Sequence, residues 1–349
     1  MDIEDSPDQT RGWSTMSDVA AVAGVSLKSV SRVINNEPHV SAKLRAKVEA
    51  AIAALDFVPD PAARSLASQR SHTIVVLFDN PSPHYTMKVM TGAYRACVAR
   101  KYHLRIDTLD STRGPAALLE QLGDVIRHSR TDGFILTPPL ADNPLVLDFL
   151  EARGAPYTRI APLFEPGRSP AVTIDDRAAA AEVADLFWAM GHRRIALVNG
   201  PDDHGAARTR REGFVTRLRE HDPDIFINEA AGGFSFDGGL AAGRELLAAR
   251  RHPTAIFATN DDSAAGVMVA CAQNDIGVPD QVSVCGFDDS WLAMSVWPYL
   301  TTVRQPIEEM AEAAALQLLD RDRDGNPSAP VVRQLDYELI LRNSVTERK

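Results

Sequence analysis

From Thr73 onward the chain alternates short apolar runs with longer amphipathic stretches, and it does so twice over. That pattern restricts it to a parallel α/β body. Apolar runs at 73–78, 104–108 and 133–137 are each followed by helical periodicity, at 84–100, 115–128 and 144–153. The alternation resumes with strand-like runs at 171–174, 195–199, 225–230, 255–258 and 282–287 and helical stretches at 176–190, 208–220, 238–250 and 263–274. Unbroken Val/Ile/Leu runs suit strands covered on both faces, which is what helices on either side of a parallel sheet provide. A body of about 275 residues accommodates two similar halves with a cleft between them. A last helix near 307–319 and strands near Val331 and at 337–341 are expected to return across the halves.

A different architecture precedes that body. Thr15 is placed to cap a helix with Asp18 three residues on, and Val19, Ala20 and Ala23 recur at helical spacing before Gly24 ends it. Ser26 is placed to cap a second helix, in which Val30, Val33 and Ile34 form the apolar stripe and Leu27, Lys28, Ser29 and Arg32 lie on other faces. Two short helices joined by one tight glycine turn read either as a helix-turn-helix for the DNA major groove or as an ordinary helical hairpin. Asn35 to Pro38 breaks the chain, Ser41 caps, and a third helix over 42–55 carries Leu44, Val48, Ile52 and Leu55 on one side. Next comes Phe57-Val58-Pro59-Asp60-Pro61, with Asp60 placed to cap and Pro61 to open a helix of about two turns. So short a helix is marginal alone in water and needs a partner to fold.

Charge divides the chain in the same place. The net charge is -10, yet residues 10–72 hold eight Lys/Arg against five acids, and the tail before them carries four acids. A modestly basic head on an acidic body suits a protein that touches phosphates only with its N-terminal part. The first thirteen residues carry no apolar run and read as a disordered acidic tail, neither a secretory signal nor a membrane span. Three cysteines, Cys97, Cys271 and Cys285, without CxxC spacing point to free thiols in a reducing cytoplasm. No nucleotide-binding, hydrolase or zinc-protease motif is present, and no cofactor, metal site or enzymatic activity is expected. Asp202, Asp203 and His204, although adjacent, are read as shaping a loop and a helix start.

With these segments in order, the chain resembles the lac repressor family of bacterial transcription regulators over nearly its whole length. The family's headpiece pattern, T-x-x-D-V-A-x-x-A-G-V-S-x-x-T-V-S-R-V-x-N, is met at Thr15, Asp18 to Ala20, Ala23 to Ser26, Val30 to Val33 and Asn35, with Ser29 in place of Thr. The stretch Val58-Pro59-Asp60-Pro61-Ala62-Ala63-Arg64-Ser65-Leu66 is similar to the family's hinge, although Asp60 replaces its usual asparagine. Downstream, Gly191-His192-Arg193-Arg194-Ile195, Arg210-Arg211-Glu212-Gly213-Phe214, Asn260-Asp261, Gly286-Phe287-Asp288-Asp289 and Leu300 to Pro306 recur in family order.

The resemblance implies a three-helix headpiece at 14–59, a hinge helix at 60–72 and a two-lobed core of the periplasmic sugar-binding type at 73–349. Within the core, 73–172 plus 304–330 would form one lobe and 173–303 plus 331–346 the other. It implies a cytoplasmic, nucleoid-associated repressor that binds a pseudo-palindromic operator as a homodimer and is controlled by a small ligand between the lobes. A sugar is the expected effector, with a purine or other non-sugar corepressor as the alternative. The family acts as dimers or tetramers, and a dimer is expected because no leucine heptad follows Leu341.

The DNA-reading set is Leu27, Lys28, Ser29, Arg32, Ala63 and Leu66. A lysine amine can donate to guanine O6/N7 and a leucine can meet a thymine methyl, so Leu27 and Lys28 would set operator preference. Ser29 and Arg32 would bond phosphate or neighbouring bases, the alternative for Arg32 being a surface pair with Glu37. Leu66 matches the family's minor-groove wedge, with small Ala63 allowing close approach, the alternative being packing within the dimer. Tyr85, Arg210, Phe234, Asn260 and Asp288 match effector-contacting positions, with Trp291 and Trp297 as further wall candidates. At Arg159-Ile160-Ala161-Pro162 the lac repressor itself carries an aspartate, so that polar partner is absent here or replaced by Arg159.

Overall fold

The computed structural model describes residues 14–34, 38–57, 70–80, 82–320 and 331–348, which fall into two compact units divided after Ser71. The first unit holds helices Met16–Ala23, Leu27–Ile34 and Ala42–Leu55. Thr15 and Asp18 form the expected capping box, Gly24 closes the first helix at φ 62°, and Ser26 and Ser41 each accept an N–H of the helix that follows. Positive φ is strained for a residue with a Cβ, which is why glycine serves at that turn. Val19, Val30, Val33 and Val48 are buried in one small core, joined by Phe57 from beyond the third helix. The expected acidic tail at 1–13 and most of the expected hinge, including Ala63 and Leu66, lie outside the described residues.

The second unit contains two six-stranded sheets. In the first, β1 (Thr73–Phe78), β2 (His103–Thr108), β3 (Phe134–Leu136), β4 (Tyr157–Ile160) and β5 (Ala171–Thr173) lie in the parallel order 2-1-3-4-5. In the second, β6 (Ile195–Asn199), β7 (Ile227–Ala231), β8 (Ala255–Ala258), β9 (Ser283–Phe287) and β10 (Thr301–Arg304) repeat it as 7-6-8-9-10. This is a doubly wound order, in which ligands settle beyond the carboxyl ends of the strands at the switch point. The same topology in both lobes brings two such ends face to face.

The chain crosses between the lobes after β5, after β10 and again near its end. Helix Ile307–Leu319 returns to the first lobe against helix Pro83–Arg100, where a Cβ on Gly92 would sit 1.9 Å from the Glu308 carbonyl oxygen. One boundary differs from expectation: β11 (Val332–Gln334) does not join the second lobe with 331–346 but pairs in parallel with β5. Strand β12 (Glu338–Ile340) joins the second sheet antiparallel to β10, and Ser344 beyond it bonds Val284 of β9 and Thr301 of β10. The open edge of β5 is where the chain arrives from helix Ile307–Leu319, so pairing there satisfies backbone groups before the last crossing.

Strands β4 and β10 are also absent from the apolar pattern. Their sequences, Tyr-Thr-Arg-Ile and Thr-Thr-Val-Arg, bury Thr158, Arg159, Thr301 and Thr302 inside the sheets. Arg159, Thr301 and Thr302 are satisfied there by groups distant along the chain, which lets polar side chains occupy interior strands without an apolar run. Cys97, Cys271 and Cys285 are buried free thiols. Among the described residues no helix is long and apolar enough to cross a membrane.

Candidate functional site

In the first unit, helix Leu27–Ile34 turns Val30 and Val33 inward and leaves Leu27 and Lys28 exposed. Leu27 is 47 % exposed. Ser29 and Arg32 are half-buried, and the Ser29 hydroxyl lies 2.9 Å from that of the capping Ser26. One helix thus offers an apolar tip and a cation from its first turn, the combination that reads base edges in a major groove.

One cleft of the second unit lies between its lobes, at the carboxyl ends of β1, β3 and β4 on one side and β6, β8 and β9 on the other, with about 410 Å³ of space up to its open mouth. The first lobe lines it with Asn80, Ser82, Tyr85, Pro138 and Ala161. The second contributes His204, Ala206, Arg210, Phe234, Asn260 and Asp288, and Gln305 sits at the crossing. All five residues expected at the effector site, Tyr85, Arg210, Phe234, Asn260 and Asp288, therefore line one cleft.

Arg210 is the electrostatic centre. Helix Gly205–His221 carries it inward to 4 % exposure, where Nε donates to Asp176 at 2.7 Å and Nη1 to the Thr259 carbonyl at 2.7 Å. The guanidinium lies 3.6 Å from the Phe287 ring centroid, and Nη1 is 3.6 Å from the Asp288 carboxylate. A buried cation needs such pairing, because removing an unpaired charge from water costs several kcal/mol, on the order of a protein's whole stability margin. Asp288 also accepts from Gln305 Nε2 at 2.6 Å. Burial pushes its carboxyl up to about 7 against the pull of Arg210.

The remaining contacts fix the walls. Asn260 caps helix Asp261–Gln273 through Ser263 N and holds the Phe234 carbonyl at 3.1 Å, pinning Phe234 in its positive-φ turn. Asp261, wholly buried, accepts from Ser290 N and Thr302 Oγ1, both at 2.6 Å, and so anchors the loop that carries Asp288. Ser82 donates to Asp262 at 2.8 Å, and Lys88 Nζ approaches the Asp289 carbonyl at 3.4 Å, two bonds that join the lobes.

Two expectations need correction. Arg159 does not replace a polar group in the cleft: it is fully buried, and its guanidinium donates to the carbonyls of Ala141, Phe164 and Glu165 and to Ser169. It holds the loop after β4, where Ala161 and Glu165 take positive φ, because those inward carbonyls need a donor. Trp291 and Trp297 do not line this cleft and are 62 % and 77 % exposed, Trp297 bordering a separate hollow with Met268, Ile276 and Pro298. His204 stands at the helix start, as read, capping Gly205–His221, and in addition lines the cleft edge-on to Phe234, with ring centroids 4.9 Å apart. Asp176 and Gln305 were not among the expected site residues, although Gln305 falls in the 300–306 stretch that recurs in family order; their roles come from partners 34 and 17 positions away.

Comparison with known proteins places both units. Residues 15–60 match the model of bacterial regulatory proteins, lacI family, and residues 184–345 match a periplasmic binding protein-like domain. The ribose operon repressor of Escherichia coli (strain K12) is 34% identical over 312 residues, covering 88% of this chain and 93% of that protein. The structure of the lac repressor dimer bound to operator and the anti-inducer ONPF aligns with a TM-score of 0.80 at 25% identity, over 96% of this chain and 100% of that one. A LacI family transcriptional regulator from Enterococcus faecium with bound ribose aligns at 0.69 and 25% identity, over 79% and 100%.

Proposed function

The chain belongs to the lacI family of bacterial regulatory proteins, and from that premise we propose that it is a cytoplasmic, dimeric repressor whose hold on a pseudo-palindromic operator is governed by a sugar bound in the interlobe cleft. Its relatives are transcriptional repressors rather than enzymes. The observation that carries the reading is the convergence of Arg210, Asp288, Asn260, Phe234 and Tyr85 on one cleft. Buried charged groups that can pair with vicinal hydroxyls beside an aromatic wall are what a sugar ring requires.

In this reading Leu27 and Lys28 contact base edges, Ser29 and Arg32 contact phosphate, and Leu66 wedges the minor groove beside Ala63. Effector closure of the lobes shifts the operator-binding equilibrium. A coupling of about 1–3 kcal/mol changes operator affinity roughly 5- to 150-fold.

The test is selection of binding sites from random duplex DNA with the full-length protein, followed by affinity measurements on the enriched site. The expected result is an inverted repeat, with Lys28→Ala relaxing base preference and Leu66→Ala weakening operator binding roughly tenfold or more while effector binding persists. Enrichment of no inverted repeat overturns the repressor reading. Unchanged affinity in Leu66→Ala removes the wedge.

A further inference from the structure

The two lobes touch on both rims of the cleft, through groups that belong to the chain itself. On one rim the first lobe presents Ser82, which caps helix Pro83–Arg100, and the second presents Asp262, in the first turn of helix Asp261–Gln273. The Ser82 hydroxyl donates to Asp262 Oδ2 at 2.8 Å, and Lys88, further along the same helix, reaches the Asp289 carbonyl. Ser82 is fixed for this by its own lobe: its N–H donates to Asn80 Oδ1 at 2.9 Å, its hydroxyl oxygen accepts from Tyr85 N, and it is only 4 % exposed. A hydroxyl has one proton to give, and this one gives it across the cleft.

The other rim closes by shape. Gly205 opens helix Gly205–His221 on the second lobe, and a Cβ there would sit 2.7 Å from Asp142 Oδ2 and 2.8 Å from the Leu163 Cβ, both on the first lobe. Asp142 is not free to swing aside, because its carboxylate accepts from the backbone N–H groups of Leu163 and Phe164, both at 2.9 Å. Gly205 begins a helix, where any residue could stand, so the missing side chain serves the approach of the lobes and not the backbone. With the lobes this close, the Arg208 guanidinium lies 5.3 Å from the Phe164 ring centroid, within the range of cation–π attraction.

The chain crosses between the lobes three times, which leaves opening and closing about those crossings as the motion that these contacts resist. Going beyond the effector reading, and whichever ligand the cleft takes, we propose that the Ser82–Asp262 bond on one rim and the Gly205 seat on the other form a latch that draws the lobes together before any ligand binds. An effector then completes a closure that the chain has begun, and its apparent affinity scales with the fraction of molecules already closed.

Distances between spin labels on the two lobes of the full-length protein, dialysed free of ligand, test this. Arg113→Cys, after β2, and Asp203→Cys, after β6, put labels at exposed positions beyond the carboxyl ends of the two sheets, while the native cysteines are buried. Dilution into unlabelled protein restricts the signal to distances within one chain. The labelled parent is expected to show a short interlobe distance in a large share of molecules. Asp262→Ala leaves Ser82 its capping role, and Gly205→Ala puts a better helix former at a helical position, yet each should lower the closed-to-open ratio roughly tenfold. The two together should leave mostly the longer distance. Asp262→Asn, whose amide oxygen can still accept from Ser82, should stay close to the parent. A parent that shows only the longer distance overturns the latch, and so does a distribution that neither Asp262→Ala nor Gly205→Ala changes. A shift in one of these variants alone removes the other rim from the proposal.

Discussion

Both lobes repeat one strand order, and each buries an arginine near the carboxyl ends of its sheet, yet the two arginines do opposite things. Arg159 is surrounded by carbonyls and a hydroxyl and braces its own lobe's loop. Arg210 is surrounded by carboxylates and an aromatic face, and it lines the cleft. The two stand at different places in the repeat, Arg159 within β4 and Arg210 on the helix after β6, and the lesson is that the chemistry of the partners decides what a buried arginine can do. A guanidinium whose donors end on fixed carbonyls is structural. One held beside carboxylates that can exchange partners is available to a ligand.

The largest expected effect separates these roles. Arg210→Ala strands Asp176 and Asp288 and is expected to cost about 3–5 kcal/mol in chemical denaturation and to abolish effector binding. Arg159→Met, which strands the acceptors it now bonds, should cost about 1–3 kcal/mol and leave effector affinity within a few-fold of the parent. Loss of effector binding in a folded Arg159→Met protein, or normal effector titration in Arg210→Ala, would break the comparison.

A smaller effect tests how far the lobes are equivalent in their packing. Gly92 meets the Glu308 carbonyl in the first lobe, and Gly213 meets the Arg177 carbonyl in the second, where an added Cβ would lie 1.9 and 2.2 Å from the oxygens. Each glycine lets one helix approach the start of its neighbour, so Gly92→Ala and Gly213→Ala should both destabilise by about 1–3 kcal/mol. A neutral result in one lobe alone would show that its helix pair can slide apart.

The smallest effect concerns pH and belongs to the second lobe. Asp288 is raised by burial to about 7, above its value in an unfolded chain, so the native state holds the extra proton from about pH 4 up to 7. Stability therefore falls as pH rises through that window. The melting midpoint of Asp288→Asn minus that of the unliganded parent should rise by a few degrees between pH 5.5 and 7.5, the pH dependence of the lowered buried histidines cancelling in the difference. Asp142, Asp176, Asp261 and Asp262 are also raised by burial, so a difference between the two proteins that stays constant with pH would move the titration away from Asp288.

Much of this molecule is legible in order along the chain. Thr15, Ser26 and Ser41 announce helix starts because a cap bonds within three residues, and Gly24 marks a turn because its φ is a local property. The runs that became β1, β6 and β8 are apolar because a covered parallel strand leaves them no choice. Arg210, Asn260 and Asp288 were identifiable through the resemblance, not through spacing.

What the sequence by itself determined, then, is a helix-turn-helix head, a twice-repeated α/β body and the family that combines them. The tertiary structure alone decided that Asp176 and Gln305 serve the cleft, that Arg159 turns away from it, that His204 lines it without a protein partner, and that β11 closes the first sheet. The physical reason is range. Caps, turns and periodicity are settled within a few residues, whereas a buried charge or an unpaired nitrogen takes its meaning from whichever distant group packing brings within about 3 Å of it.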